Sequence, residues 1–426
     1  MVDGRTGSLL PWPDRSTLTV RSRPPSLTVA DSEKDIMQGT GTGTGRARGG
    51  SPLRACVVTL ARLGAALALL TAGASDAPAQ SAVWNPAATA GGSWGSAANW
   101  QGGTVPSGAG NTAGFALDFA AGASVTLDGD RAIGAVVSTG ANPWTLAPGT
   151  GGTLTVANLT VTGGTVTVDA PLGGVDLTKG GGGTVVLTNS GNTYSGVVDI
   201  NAGTLSLVGA ANYSTASIRV HVASGAALDA TGLTAGPRYG GVPSLRLNVT
   251  NGDTLDGTGT VTGGLRVSNG GTVYPGDNGV GALTVIGAGD FKSGSTWKVK
   301  LGTATPGGTN MSNRIDFSDA LNVDDATAIP IDGSGLTFAA GQTYDYVIAT
   351  SGTADFTLGA VAFLPTNFDP SAGVTPSSFS LITSGNDLVL RFTPVPEPAH
   401  VTAAGFAAVA GCGLLRRRRA RRKEVR

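Results

Sequence analysis

Acid–base chemistry between residues 80 and 395 would rest on twenty aspartates and one histidine, His221, because that stretch holds no Glu and no Cys. A Ser–His–Asp nucleophile would need His221, which alternates with aliphatics in Ile218-Arg219-Val220-His221-Val222, and no Gly-x-Ser-x-Gly motif accompanies it. The alternation puts His221 on the same outward strand face as Arg219, an ordinary surface position. Catalytic zinc takes about three protein ligands, mostly His, and no such cluster is present, so neither metal nor cofactor is expected. Paired carboxylates could serve a β-helix polysaccharide lyase or glycoside hydrolase. The pairs are Asp128 and Asp130 around Gly129, Asp253 and Asp256 around a turn, and the doublet Asp324-Asp325. Each also fits tight-turn chemistry, in which Asp accepts hydrogen bonds from nearby backbone. The Gly-rich runs contain no Walker-type phosphate loop and no Asp-bearing calcium nonapeptide, and weak calcium binding at an acidic surface stays open. Eleven basic residues against twenty acidic ones argue against a nucleic-acid partner. The expected protein is not an enzyme.

The elements that would position these residues read as strands. Gly is 68 of 426 residues, which disfavours helices, and no long helical period occurs. From about Ser124 to Val285, Thr or Ser alternates with Val or Leu in runs such as Thr153-Leu154-Thr155-Val156, Thr165-Val166-Thr167-Val168 and Thr204-Leu205-Ser206-Leu207. Period two sends the aliphatics to one face and the hydroxyls to the other. Glycines open the runs at Gly152, Gly164, Gly183, Gly203, Gly225, Gly252 and Gly271, at intervals near twenty. Such spacing predicts a solenoid of some eight coils, about 40 Å long at about 4.8 Å per coil. A β-sandwich is the alternative. Ahead of the repeats, Trp84, Trp94 and Trp100 stand with Asn85, Asn99, Pro106 and Phe115. They form either a cap over the first coil or a sugar-stacking platform, and the cap is favoured because burying Trp stabilises a fold without disulfides. Beyond 290 the repeat fades into alternating strands at 297–301, 344–348 and 387–392, predicting a C-terminal β-rich cap or a small sandwich.

The two ends carry targeting signals. Leu63 to Ala74 is apolar, follows Arg54 and Arg62, and precedes Ala77-Pro78-Ala79, the pattern of a secretory signal peptide over 53–79. Cleavage after Ala79 would leave Gln80 first; Ala74 is the competing site. Residues 1–52 read as a disordered or mis-called leader. Cys56 and Cys412 fall in these end segments, so the body is held without disulfides. At the other end, Val395-Pro396-Glu397-Pro398 leads into an apolar stretch, 399–415, followed by Arg416, Arg417, Arg418 and Arg419. Alone, this is a short membrane span with a basic cytoplasmic stop, a tail anchor.

The order of motif, span and Arg cluster over 394–423 resembles the PEP-CTERM sorting signal, though His400, Thr402 and three glycines make the span less apolar than usual. That resemblance implies an exosortase as processing partner, transient inner-membrane anchoring through 399–415, and delivery to the cell surface or medium beside exopolysaccharide. A second resemblance covers Gly183-Thr184-Val185-Val186-Leu187-Thr188-Asn189-Ser190-Gly191-Asn192-Thr193-Tyr194-Ser195-Gly196 and continues through Ile200-Asn201-Ala202-Gly203-Thr204-Leu205, which looks like the autotransporter-associated β-strand repeat. Residues 255–276 resemble the closing coils of such passengers. This implies an all-β protein, a right-handed parallel β-helix on an extracellular chain. The sorting tail of 394–426 stands where such proteins carry a translocator barrel, so self-translocation is not expected.

The sequence therefore predicts a leader (1–52), a signal peptide (53–79), a Trp-rich cap (80–123), β-solenoid repeats (124–289), a C-terminal β-region (290–393) and a sorting tail (394–426). The expected function is an exported surface or matrix structural protein in contact with extracellular polysaccharide, as in a biofilm. Two alternatives are a β-helix polysaccharide lyase or hydrolase, and a carbohydrate-binding module using Trp84, Trp94 and Trp100.

Overall fold

Thr–Val alternation in this chain resolves into strands that stack on one another in parallel. The computed structural model describes residues 80–395 except 213–215, 217, 236–238, 243, 277–278 and 370–372. Thr165, Thr184 and Thr204 lie in register on three successive coils, as do Val166, Val185 and Leu205. β-branched residues suit this extended backbone, and period two decides which face each one occupies. Helical structure among the described residues is limited to three-residue 3-10 turns.

Two sheets of fourteen strands run along the described body. The first begins at Ala82–Val83 and passes through Leu177–Gly180, Val197–Ile200 and Arg219–Val222 to Ala328–Asp332 and Ala362–Thr366. The second begins at Gly91–Ser93 and passes through Thr165–Val168, Thr184–Leu187 and Thr204–Gly209 to Tyr344–Ser351. A third sheet of six strands starts with the antiparallel pair Tyr239–Val242 and Leu245–Val249 and then adds one parallel strand per coil, from Leu265–Val267 to Phe356–Leu358. The fold is an all-β parallel solenoid with two sheets per turn at first and three from about residue 245. Insertion of the antiparallel pair accounts for the long interval between Gly225 and Gly252 in the sequence.

Inward positions form apolar rows that cross the coils. One row of the second sheet runs Trp144, Val166, Val185, Leu205, Leu228, Val261, Val285, Phe317. In the first sheet, Leu177, Val198, Val220, Leu255, Val273 and Trp297 do the same. These side chains are at most a few per cent exposed, so the core is a continuous strip. At the corners, Gly164, Gly181 and Gly203 have φ of 63°, 73° and 65°, a region that costs other residues strain. A Cβ on Gly203 would also press into the carbonyls of Gly181 and Gly183 on the coil before it.

Aromatic residues are 5% of the chain, and two clusters of them lie at the first and last coils, with Tyr194, Phe291, Trp297 and Phe317 buried between. At the first coils, Trp84, Trp94, Trp100, Phe115, Phe119 and Trp144 pack on one another, with ring centroids 4.6–6.4 Å apart. At the last coils, Phe338, Tyr344, Phe368, Phe379 and Phe392 form a second cluster. A hairpin of Phe379–Ser384 and Asp387–Phe392 lies antiparallel on Tyr344–Ser351 and closes the second sheet. The expected borders at 123 and 289 are not breaks in the ladder. Parallel pairing begins with Ala82 on Ala113 and ends with Ala328–Asp332 on Ala362–Thr366. The later coils escape the glycine count because a loop and a two-residue strand, Thr309–Asn310, are inserted between their repeats.

Candidate functional site

The three tryptophans expected either to cap or to bind sugar are 1%, 0% and 2% exposed. Their indole N–H groups donate to carbonyls: Trp84 to Ala88 (3.0 Å), Trp94 to Pro106 (3.4 Å) and Trp100 to Trp94 (2.7 Å). Their ring faces are occupied by one another and by Phe115. The expectation of glycan contact through Trp84, Trp94 and Trp100 is therefore corrected: these rings fill the core at the first coil and offer no face to a pyranose.

Most of the paired carboxylates bond the backbone at corners, some locally and more from one coil to the next. Asp128 accepts from the Thr126 hydroxyl (2.6 Å) and the Thr150 N–H (3.1 Å), and Asp130 accepts from the Thr153 N–H (2.8 Å). The hydroxyls of Thr126 and Ser93 hold the Asp128 carboxyl down to about 2. Asp253 accepts the N–H groups of Ile218 and Thr250, and Asp325 accepts that of Ala360. Asp324 joins Lys292 and Asn322 in a network around Asp290 on the third sheet. Among the described residues no three His, Cys, Asp or Glu side chains converge to hold a metal ion.

Asp256 differs in joining two side chains, an Arg and a His, of one neighbouring coil. It is 3% exposed, and its two oxygens engage Arg219 and His221 on the preceding coil of the first sheet. The His221 Nδ1–Asp256 Oδ1 distance is 2.8 Å, and the His221 side chain is 17% exposed. Sequence alternation placed His221 and Arg219 on one outward face. It gave no sign of their shared partner thirty-five residues on, since only the stacking of coils brings the three together. The outward row continues on both sides: Asn158, Thr178, Asp199, His221, Asp256 and Tyr274 occupy one register line over six coils. Lys298 lies over the Tyr274 ring, 5.6 Å from its centroid. Aspartates flank His221 on both neighbouring coils, so this line offers it carboxylates and no serine nucleophile. The arrangement presents a strip of carboxylate, guanidinium, imidazole and phenol groups with fixed spacing. Such groups exchange hydrogen bonds with a polyhydroxylated surface.

A polar residue that sequence reasoning missed lies inside. Lys179 occupies the inward row between Leu159 and Ile200 and is 0% exposed. Its ammonium donates to the carbonyls of Gly180 (3.0 Å), Gly181 (2.8 Å) and Ala202 (2.8 Å). Burial pulls its pKa down to about 8. Its position in Leu177-Thr178-Lys179-Gly180, where period two calls for an apolar side chain, was the available signal.

The targeting signals lie mostly outside the described residues. The signal-peptide segment up to Ala79, the motif residues Pro396, Glu397 and Pro398, the span 399–415 and Arg416–Arg419 all do so. Gln80 is described and pairs with Ser107 through two backbone hydrogen bonds. Val395 donates its N–H to the Gly373 carbonyl. No helix among the described residues is long and apolar enough to cross a membrane.

Comparison with known proteins places the repeat. Residues 177–207 match the passenger-associated-transport-repeat family, a window that encloses the Gly183–Leu205 segment and also Lys179. A stretch of 216 residues is 29% identical to the adhesin BmaC autotransporter of Brucella suis, covering 49% of this chain and 5% of that much longer protein. The chain thus carries, in a β-solenoid, a repeat similar to those of autotransporter passengers.

Proposed function

We propose that this protein is exported and acts outside the cell as a non-enzymatic β-solenoid that adheres to extracellular polysaccharide or to a surface matrix. The observation that carries this reading is the passenger-type repeat at 177–207 within a solenoid whose outward rows are hydroxyls, amides and paired charges. A long register of weak polar contacts gains affinity by multiplicity, and needs no pocket. The strip of Asp199, Arg219, His221, Tyr274 and Lys298 supplies donors and acceptors of several kinds. Export would use the segment ending at Ala79, and the PEP-CTERM-like tail would be processed by an exosortase.

Retention on immobilised neutral and acidic polysaccharides tests adhesion. Full-length protein processed by an exporting host should be retarded, and a double change of Arg219→Gln and Lys298→Ala should reduce the retardation while leaving the circular dichroism unchanged. Absence of retardation on every polysaccharide and on intact cells would sink the adhesive reading. One observation favours a second reading, a polysaccharide lyase or hydrolase: a buried carboxylate orients His221, the geometry of a general base. Release of oligosaccharides by the wild type and not by His221→Gln would establish it; no release by either would remove it.

A further inference from the structure

Solenoids with near-identical coils face a problem that other folds do not: one coil can stack on the wrong neighbour. Here the rows Thr165–Thr184–Thr204, Val166–Val185–Leu205 and Val168–Leu187–Leu207 are nearly interchangeable. Omitting a coil or shifting by one would leave the aliphatic rows and the Thr row almost as well matched as before. Hydrophobic burial alone discriminates weakly among such registers.

We propose that Lys179 is a register lock, a buried cation that permits only the native stacking of the coil 177–187 on the coil 197–207. The ammonium sits in an otherwise aliphatic row, where an unpaired charge would be strongly unfavourable. It is tolerated because three carbonyls converge on it, two from its own corner, Gly180 and Gly181, and one from the next coil, Ala202. Gly181 and Gly203, both at positive φ, let these corners approach backbone against backbone. A stacking that skips the coil 197–207 removes Ile200 together with Ala202 and puts Val222 and the corner 223–226 beside Lys179. That corner is one residue longer than Asn201-Ala202-Gly203, so the third carbonyl of the cage is lost and the cation is left against Leu159 and Val222. A buried polar group of this kind stabilises little and specifies much, as a lone polar residue does in an apolar coiled-coil seam. Its place inside the 177–207 repeat fits a coil from which correct stacking propagates in both directions.

Cysteine pairs read the register directly. In full-length protein carrying Cys56→Ser and Cys412→Ser, the pair Thr184→Cys with Thr204→Cys sits on adjacent coils, about 5 Å apart, and reports native stacking. The pair Thr184→Cys with Ala227→Cys spans two coils, about 10 Å, beyond the reach of a disulfide, and closes only when the coil 197–207 is skipped while Lys179 stays in the row. After refolding under oxidising conditions, Lys179→Met should raise the skipped-coil cross-link about fivefold or more over Lys179, at unchanged or higher resistance to urea. An equal skipped fraction with and without Lys179 overturns the proposal. If Lys179→Met does not refold, Lys179→Ala refolded with n-propylammonium chloride replaces it. Return of the native cross-link with propylammonium and not with sodium chloride supports the lock, and no return overturns it.

Discussion

Lys179 and the buried tyrosines make the alkaline stability of this protein a property of single residues. Lys179 ionises at about 8 in the fold, against 10.5 for an ordinary lysine. Between those values the unfolded chain binds more protons than the folded one, so stability should rise with pH from about 8 to about 10. Burial raises the hydroxyl pKa of Tyr194 and Tyr346 above the ordinary tyrosine value of 10. Their contribution is complete below pH 10 and is lost as the pH climbs further. Urea midpoints at pH 7, 8.5, 10 and 11 should therefore crest near 10, and Lys179→Met should abolish the rise while keeping the fall. A midpoint that declines steadily from pH 7 would contradict this assignment. On the acid side, burial alone would raise Asp332, but its bonds from Lys300, Asn367 and Ser334 together hold it at about 2. That contribution is present above pH 4 and disappears as the pH falls toward 2, so Asp332→Asn should flatten part of the acid limb of the same midpoint curve.

The coil and its caps are the elements at which packing decides stability. Trp94 and Phe392 sit in the two end clusters, each at most 1% exposed, and each meets several aromatic neighbours. Truncation to Ala should cost about 3–5 kcal/mol at either end, whereas Ile286→Ala, half exposed at the end of strand Ala282–Ile286, should be close to neutral. Equal, small effects at all three sites in urea unfolding would show that the caps do not hold the coils. Element by element, the sequence was legible where one coil suffices. Alternation in Thr165–Val168 and Thr204–Leu207 fixes which side chains turn inward, and the corner glycines fix where the strands bend. Features that need two coils stayed hidden. Asp256 meets His221 and Arg219 only across a stacking interface, and Lys179 is intelligible only once the Ala202 carbonyl is beneath it. The third sheet was hidden for another reason, since strands as short as Leu265–Val267 and Leu321–Val323 carry too few residues for a period to show. The tryptophans were legible as a cluster and ambiguous in role, because residue type cannot tell a buried ring from an exposed one.

At the scale of the whole molecule, the backbone next to both expected processing points is hydrogen-bonded to the body. Gln80, the residue that cleavage after Ala79 would leave first, is already paired with Ser107. At the far end the Pro394 carbonyl accepts from Gly341 and the Val395 N–H donates to Gly373, immediately before Pro396-Glu397-Pro398. A peptidase needs an extended, unpaired substrate, and backbone held in a ladder resists being drawn into its cleft. Folding of the body would thus protect both boundaries from trimming, and the mature protein would be bounded near Gln80 and Pro396. That product would carry the acidic body, with twenty aspartates against eleven basic residues up to 395, and none of the basic tail. Intact mass of the protein recovered from the medium and from the membrane fraction of the cells that make it decides the matter. A single species spanning about 80–396 in the medium is the expected outcome, and extra mass on that species would reveal a surface attachment. Recovery from the membrane fraction of a chain that still carries Arg416–Arg419 would instead make the tail an anchor, and the solenoid would then act only at the surface of the cell that made it.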